Sequence, residues 1–195
     1  MRWFGLPNFN NSEIDKNWDG PEYSDRPLPR MDKTLVEEQT KQAIITCLRL
    51  LAASPKSGQE LKKKLAGKGF ADEIVDQALE QLRTQGILDD TLYAKDLVTR
   101  LTLGKSAGRH KIAFELKRHG ISKKITDELL ETLSNEDETE RALEHSRLKW
   151  SGWSKLDPQK RKKRLYDFLI RKGYDFQIAQ DVLQKLSKEP SIDEI

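Results

Sequence analysis

ELKKKLAGKGF at residues 60–70, ELKRHGI at 115–121 and FLIRKGY at 168–174 are three versions of one phrase: an amphipathic stretch, a glycine, then an apolar or aromatic residue. The glycines at positions 69, 120 and 173 stand 51 and then 53 residues apart. Aligned on them, Leu61, Ile112 and Leu165 coincide, as do Leu65, Leu116 and Leu169, and Ile74, Ile125 and Ile178. Leu79, Leu130 and Leu183 also fall together, and so do Leu82, Leu133 and Leu186. Agreement at these apolar positions marks an internal repeat, and a long period with helical spacing inside it predicts a stacked helical array.

Outward from each phrase the chain reads as three helices. Val36 to Ala53 carries apolar residues at helical spacing and stops at Ser54-Pro55, because proline cannot continue a helix. Ser57 is placed to cap a second helix that ends at Lys68-Gly69, the glycine supplying the positive φ of a C-terminal cap, and Asp72 starts a third running to about Arg83. In the second copy Asp89 or Asp90 can cap a helix bearing Tyr93, Ala94, Leu97, Val98 and Leu101. Gly104 and Gly108 bracket the next turn, and Ser122 caps the third helix. The third copy opens near Asn135 with an acidic first turn, starts its second helix at Asp157-Pro158 and caps its last with Asp175. The expected fold class is all-α: an elongated array of three tandem three-helix (helix-turn-helix-like) repeats over 37–85, 86–134 and 135–187. A flexible N-terminal extension (1–36) and an acidic tail (188–195) flank it.

The composition agrees with small units exposing much surface, since 36% of residues are hydrophobic and 34% charged. No run approaches the roughly 20 apolar residues of a membrane helix, and no basic-then-apolar leader opens the chain, so a cytoplasmic protein without membrane contact is expected. Cys47, the single cysteine, stands among Ile44, Ile45, Leu48 and Leu51 and reads as a buried structural thiol. Trp3, Phe4, Phe9 and Trp18 in the proline-bearing extension are either incidental or a docking motif for a partner.

Catalysis needs converging groups, and the sequence offers no Gly-rich phosphate loop with lysine, HExxH, paired cysteines or nucleophile elbow. His110, His119 and His145 read as surface or rim residues. Asp89-Asp90 reads as a cap in preference to a divalent-ion site, because neighbouring carboxylates at a helix start point in different directions. No enzyme activity, metal or cofactor is expected.

Four segments together carry a recognisable pattern. They are Ser57-x-x-Glu60-Leu-Lys-x-Lys-Leu65, Gly86-x-Leu88-Asp-Asp90-x-x-Tyr93, Gly108-x-x-x-Ile112-x-x-Glu115-Leu-x-x-x-Gly120-Ile121, and Phe168-Leu-x-x-x-Gly173-Tyr174. Over about residues 38–187 the chain resembles the RecX family of recombinase regulators. The resemblance implies a bacterial, cytoplasmic, monomeric protein that binds RecA filaments on single-stranded DNA. It further implies suppression of strand exchange, ATP turnover and cleavage of the SOS repressor, with no catalytic residue to carry over. Tyr93, Leu116, Ile121 and Tyr174 belong to the pattern as packing residues.

A net charge of +3 announces no nucleic-acid binder, but the basic residues cluster on the second helices. Candidate partner contacts are Lys62, Lys63, Arg100, Lys105, Arg109, Lys111, Lys117, Arg118, Lys160, Lys163, Arg164 and Arg171, each with the alternative of a solvated helix face. Arg109 and Arg118 lead because arginine grips carboxylate or phosphate with two donors, and a face carrying Arg109, Lys111 and Arg118 is expected to meet the filament. The rival is a helical protein that binds single- or double-stranded DNA nonspecifically, without the recombinase. A tetratricopeptide-like scaffold is excluded by its 34-residue, two-helix period.

Overall fold

The computed structural model describes residues 33–104 and 106–188. Residues 1–32 of the extension, with its tryptophans, Lys105 and residues 189–195 of the tail lie outside the described residues. Among the described residues there are helices and no strands: α1 (Lys33–Ala53), α2 (Gly58–Ala66), α3 (Asp72–Thr84), α4 (Asp90–Thr99) continued by one π-helical turn (Arg100–Gly104), α5 (Arg109–Arg118), α6 (Lys123–Glu131), α7 (Asn135–Gly152), α8 (Pro158–Lys172) and α9 (Phe176–Lys188). The first helix thus begins at Lys33, ahead of the expected Val36.

Three separate apolar cores lie along the chain, one beneath each helix triplet. Ala43, Cys47, Leu61, Leu65, Ile74, Leu79 and Leu82 build the first, and Leu88 joins it from the chain entering α4. Tyr93, Ala94, Leu97, Ile112, Leu116 and Ile121 build the second. Ala142, Leu165, Leu169, Tyr174, Ile178 and Leu186 build the third. Extensive helix packing stays within a triplet, so each core is small and the triplets are joined by few contacts. Burial pushes the Cys47 thiol up to about 11, which keeps it protonated and inert.

The helix boundaries follow from local chemistry. Ser57 forms a full capping box with Glu60, and Asp89, Ser122, Ser134, Asp157 and Asp175 each accept a hydrogen bond from a backbone N–H at the start of a helix. Asp72 is the first residue of α3, with no side-chain cap at Ala71. Asp89 is the cap of α4, and Asp90 is directed elsewhere, as described below. Gly69, Gly120 and Gly173 all take positive φ, 88°, 74° and 85°, which is the conformation that turns the chain from second to third helix.

Candidate functional interface

The second helices α2, α5 and α8 meet end to end. At the first junction the Ser57 hydroxyl, at the start of α2, donates to the His119 carbonyl at the end of α5, and the Gly58 N–H donates to the Asp90 carboxylate at 2.7 Å. At the second junction the Gly108 N–H donates to Lys172 O at 2.9 Å and the His110 N–H to Gly173 O at 3.0 Å. There the Arg109 N–H donates to Glu138 Oε1 at 2.7 Å. Counted from the turn glycine, Ser57 and Gly108 are equivalent, and so are His119 and Lys172. Both junctions therefore dock a helix start onto the C-terminal end of the next copy's second helix, with a carboxylate from the next copy's first helix on the leading amide. This satisfies amides that have no partner within their own helix and sets the positive end of one helix dipole against the negative end of another.

The outer helices of the row differ. α8 starts fifteen residues before its glycine, whereas α2 and α5 start eleven before theirs, so α8 carries one extra turn at the end that no further copy meets. That end is capped by its own Asp157 and by proline in the first turn. At the opposite end a Cβ on Gly69 would meet nothing within 4 Å, whereas one on Gly120 would lie 2.4 Å from Gln59 Cβ and one on Gly173 2.3 Å from Lys111 N.

Charge along the row is divided between internal and outward uses. Lys62 pairs with Asp76 at 2.6 Å, and Arg100 with Asp96 at 3.1 Å. Arg109 is held at the second junction, its guanidinium donating to Leu133 O at 2.7 Å and Asn135 Oδ1 at 3.0 Å and lying 3.5 Å from Glu138. Lys111 and Arg118 both converge on Glu115, at 2.9 and 2.6 Å. The Lys111 hydrogen bond, against the effect of burial and helped by the Arg118 charge, holds that carboxyl below its ordinary value. Arg109, Lys111 and Arg118 consequently do not share one face: the first turns toward α7, the other two along α5. Arg164 lies over the Trp153 ring, 4.8 Å from its centroid. Lys63, Lys117, Lys160, Lys163 and Arg171 are exposed. Each stands two or five positions from the buried Leu61, Ile112 or Leu165, or six in the case of Arg171, so at 100° per residue they point away from the core beneath them. Phe114 and Ile170, 58% and 41% exposed, interleave with them. Lys105 falls outside the described residues.

Several residues of the junctions carry no sequence signal of their role. His119, expected at a surface or rim, is largely enclosed: its Nδ1 lies 2.9 Å from the Tyr93 hydroxyl and 3.1 Å from Glu60. The docking of α2 onto the end of α5 encloses it. Burial, followed by the neighbouring Glu60 charge, pushes the Tyr93 hydroxyl up to about 12. Glu138, 2% exposed, sits in an acidic run that reads only as a helix start. Arg161 donates from Nε to Trp150 O at 3.0 Å and stacks on that ring at 3.8 Å, giving the loop between α7 and α8 its shape. Among the described residues no group of three or more His, Cys, Asp or Glu is arranged to hold a metal, and no helix is long and apolar enough to cross a membrane.

Comparison with known proteins agrees with this architecture. Residues 43–82 match the model of the first RecX three-helix domain, and residues 136–183 that of the third. The chain is similar to the regulatory protein RecX of Prosthecochloris aestuarii, with 30% identity over 150 residues, covering 77% of this chain and 97% of the relative. It is likewise similar to the regulatory protein RecX of Clostridium perfringens strain 13, with 32% identity over 145 residues, covering 73% and 67%. The crystal structure of RecX from Lactobacillus salivarius superposes with a TM-score of 0.71 at 16% identity, over 77% of this chain and 98% of that one. A second RecX crystal structure gives 0.70 at 22% identity, over 76% and 74%; at these identities the likeness speaks for the fold. The repeat phrase, the triplet architecture and the extent of the sequence match lead to one assignment: the chain belongs to the RecX family of regulatory proteins.

Proposed function

We propose that this protein regulates the bacterial RecA recombinase by lying along its filament on single-stranded DNA. In this reading it suppresses strand exchange, ATP hydrolysis and SOS repressor cleavage, acting as a cytoplasmic monomer without catalysis or cofactor. The observation that carries the reading is the end-to-end row of second helices, each turning exposed basic residues away from its own core. A filament repeats one surface at fixed pitch, and a rigid row of similar helices can touch successive protomers together. Linked contacts of that kind raise avidity while each stays weak. Lys63, Lys117, Arg118, Lys160, Lys163 and Arg171 are the foremost contacts. Lys62, Arg100 and Arg109 are already engaged within the chain, and Arg109 contributes by bridging the second and third repeats.

One observation favours nonspecific DNA binding as a second reading: Arg161 and Arg164 stack on Trp150 and Trp153 beside the exposed Lys160 and Lys163, joining cations to aromatic rings as single-strand binders do. The two readings part in a titration of recombinase ATP hydrolysis on single-stranded DNA at two salt concentrations, beside direct binding to bare DNA. The filament reading expects inhibition well below the protein's own DNA dissociation constant. Salt-sensitive DNA binding without inhibition would replace it with the DNA-binder.

A further inference from the structure

The two junctions are two uses of one acceptor. His119 O receives the Ser57 hydroxyl, and Lys172 O and Gly173 O receive the Gly108 and His110 N–H groups. Counted from the turn glycine, Lys68 at the end of α2 stands where His119 and Lys172 stand. Lys68 and Gly69 are exposed, and a Cβ on Gly69 would meet nothing within 4 Å, so no described residue docks there. Carbonyls at a helix end have no partner within the helix and carry the negative end of its dipole. The side-chain acceptor recurs as well. Ala43, Ala94 and Ala142 are fully buried in the three first helices, and four residues before them stand Gln39, Asp90 and Glu138. Asp90 and Glu138 receive the leading amides, and Gln39, in the same register, offers an amide oxygen in their place.

We infer that residues 12–25 of this same chain dock on the open end of α2, with Ser12 at the Lys68 and Gly69 carbonyls. Residues 1–32 enter α1 at Lys33, six residues and so about 9 Å along the helix from Gln39. Ser12 lies twenty-one residues before Lys33, ample chain at about 3.3 Å per residue to turn back to that end. Ser12-x-x-Asp15 repeats the spacing of the Ser57-x-x-Glu60 capping box, which opens the helix docked at the first junction. Charge matches too: residues 12–25 hold Glu13, Asp15, Asp19, Glu22 and Asp25 against Lys16 alone, and the end of α2 exposes Lys63, Lys64 and Lys68. A second molecule offers a poorer start. That of α8 is closed by Asp157 and Pro158 and continues into Lys160–Arg164, which would face those lysines. The docking holds whether or not the row meets the recombinase.

The test is paramagnetic relaxation in the full chain, with a nitroxide on Asn17→Cys and the buried Cys47 left unlabelled. The amide signals of Lys68, Gly69 and Phe70 are expected to be lost, while those of Gly120 and Gly173 keep their intensity. Glu13→Lys, Asp15→Lys and Asp19→Lys together should restore the three signals without moving the melting temperature. Gly69→Ala should restore them too, at little cost in stability, because a tethered segment leaves a crowded site where α2 and α5 cannot. Full intensity at Lys68, Gly69 and Phe70 in the labelled chain, or a loss that survives either change, would overturn the inference. So would the same loss in isotope-labelled chains without nitroxide when mixed with nitroxide-bearing chains at natural abundance, which would give the end of α2 to a second molecule.

Discussion

The junction between the first and second repeats is held by side chains, and the one between the second and third adds direct main-chain bonds to its side-chain contacts. Ser57, Asp90, Glu60, Tyr93 and His119 meet at the first, whereas at the second Gly108 has no side chain and its own N–H reaches Lys172 O. A Cβ on Gly108 would come within 2.4 Å of Gly173 O, so main-chain docking there depends on the bare backbone of both glycines. One docking geometry is thus reached by two chemistries. At the second junction an added atom meets main chain, and at the first it meets side chains that can move.

Adding one carbon at each turn glycine separates the two junctions and the open end. Gly173→Ala combines a positive φ with collision against Lys111 backbone and should cost about 3–5 kcal/mol in urea unfolding. Gly120→Ala meets the Gln59 side chain and should fall between. Gly69→Ala meets nothing within 4 Å and should cost about 1 kcal/mol, from conformation alone. Equal losses at the three positions would mean that the junction contacts add nothing.

The carboxylates that receive the leading amides give the next contrast. Glu138→Ala removes an acceptor that is 2% exposed and leaves Arg109 with fewer partners, for an expected loss of about 2–3 kcal/mol. Asp90→Ala removes a more accessible one, 26% exposed at its side chain, and should cost about 1 kcal/mol. Chemical denaturation of the two variants beside the parent checks the order.

The smallest effect is the pH response, and it should belong to the first junction. Burial alone would raise the Glu60 carboxyl, but the Ser57 N–H and the His119 ring outweigh it and hold the group below its ordinary 4.5. A lowered carboxyl adds stability above its unfolded-state value and loses it as pH falls through the folded-state value. The stability gap between the parent and Glu60→Gln should therefore shrink as pH falls below about 4.5.

The repeat was open to reading because its carriers are local: a glycine needing positive φ, apolar residues at helical spacing, and caps such as Ser57, Ser122 and Asp157 that act within a few residues. The junctions were hidden because their partners are far apart in sequence and differently spaced. Asp90 precedes its glycine by thirty residues and Glu138 precedes its own by thirty-five, so alignment on the glycines does not superpose them. The internal partners of Arg109 were hidden for the same reason. Its acceptors Leu133, Asn135 and Glu138 come together with it only when α7 folds against α5. The five exposed positions Lys63, Lys117, Lys160, Lys163 and Arg171 were legible as basic, but their common outward direction required knowing which face is buried.

The most direct test of a regulatory row of second helices is recombinase ATP hydrolysis on single-stranded DNA, titrated with two triple variants of equal charge change. One is Lys63→Glu, Lys117→Glu and Arg171→Glu on the row, and the other Lys95→Glu, Lys124→Glu and Lys185→Glu on exposed positions of α4, α6 and α9. The row variant should lose inhibition while keeping its helical content and melting temperature, and the off-row variant should inhibit like the parent. Equal inhibition by both variants, or equal loss in both, would contradict the assignment of that surface to the filament.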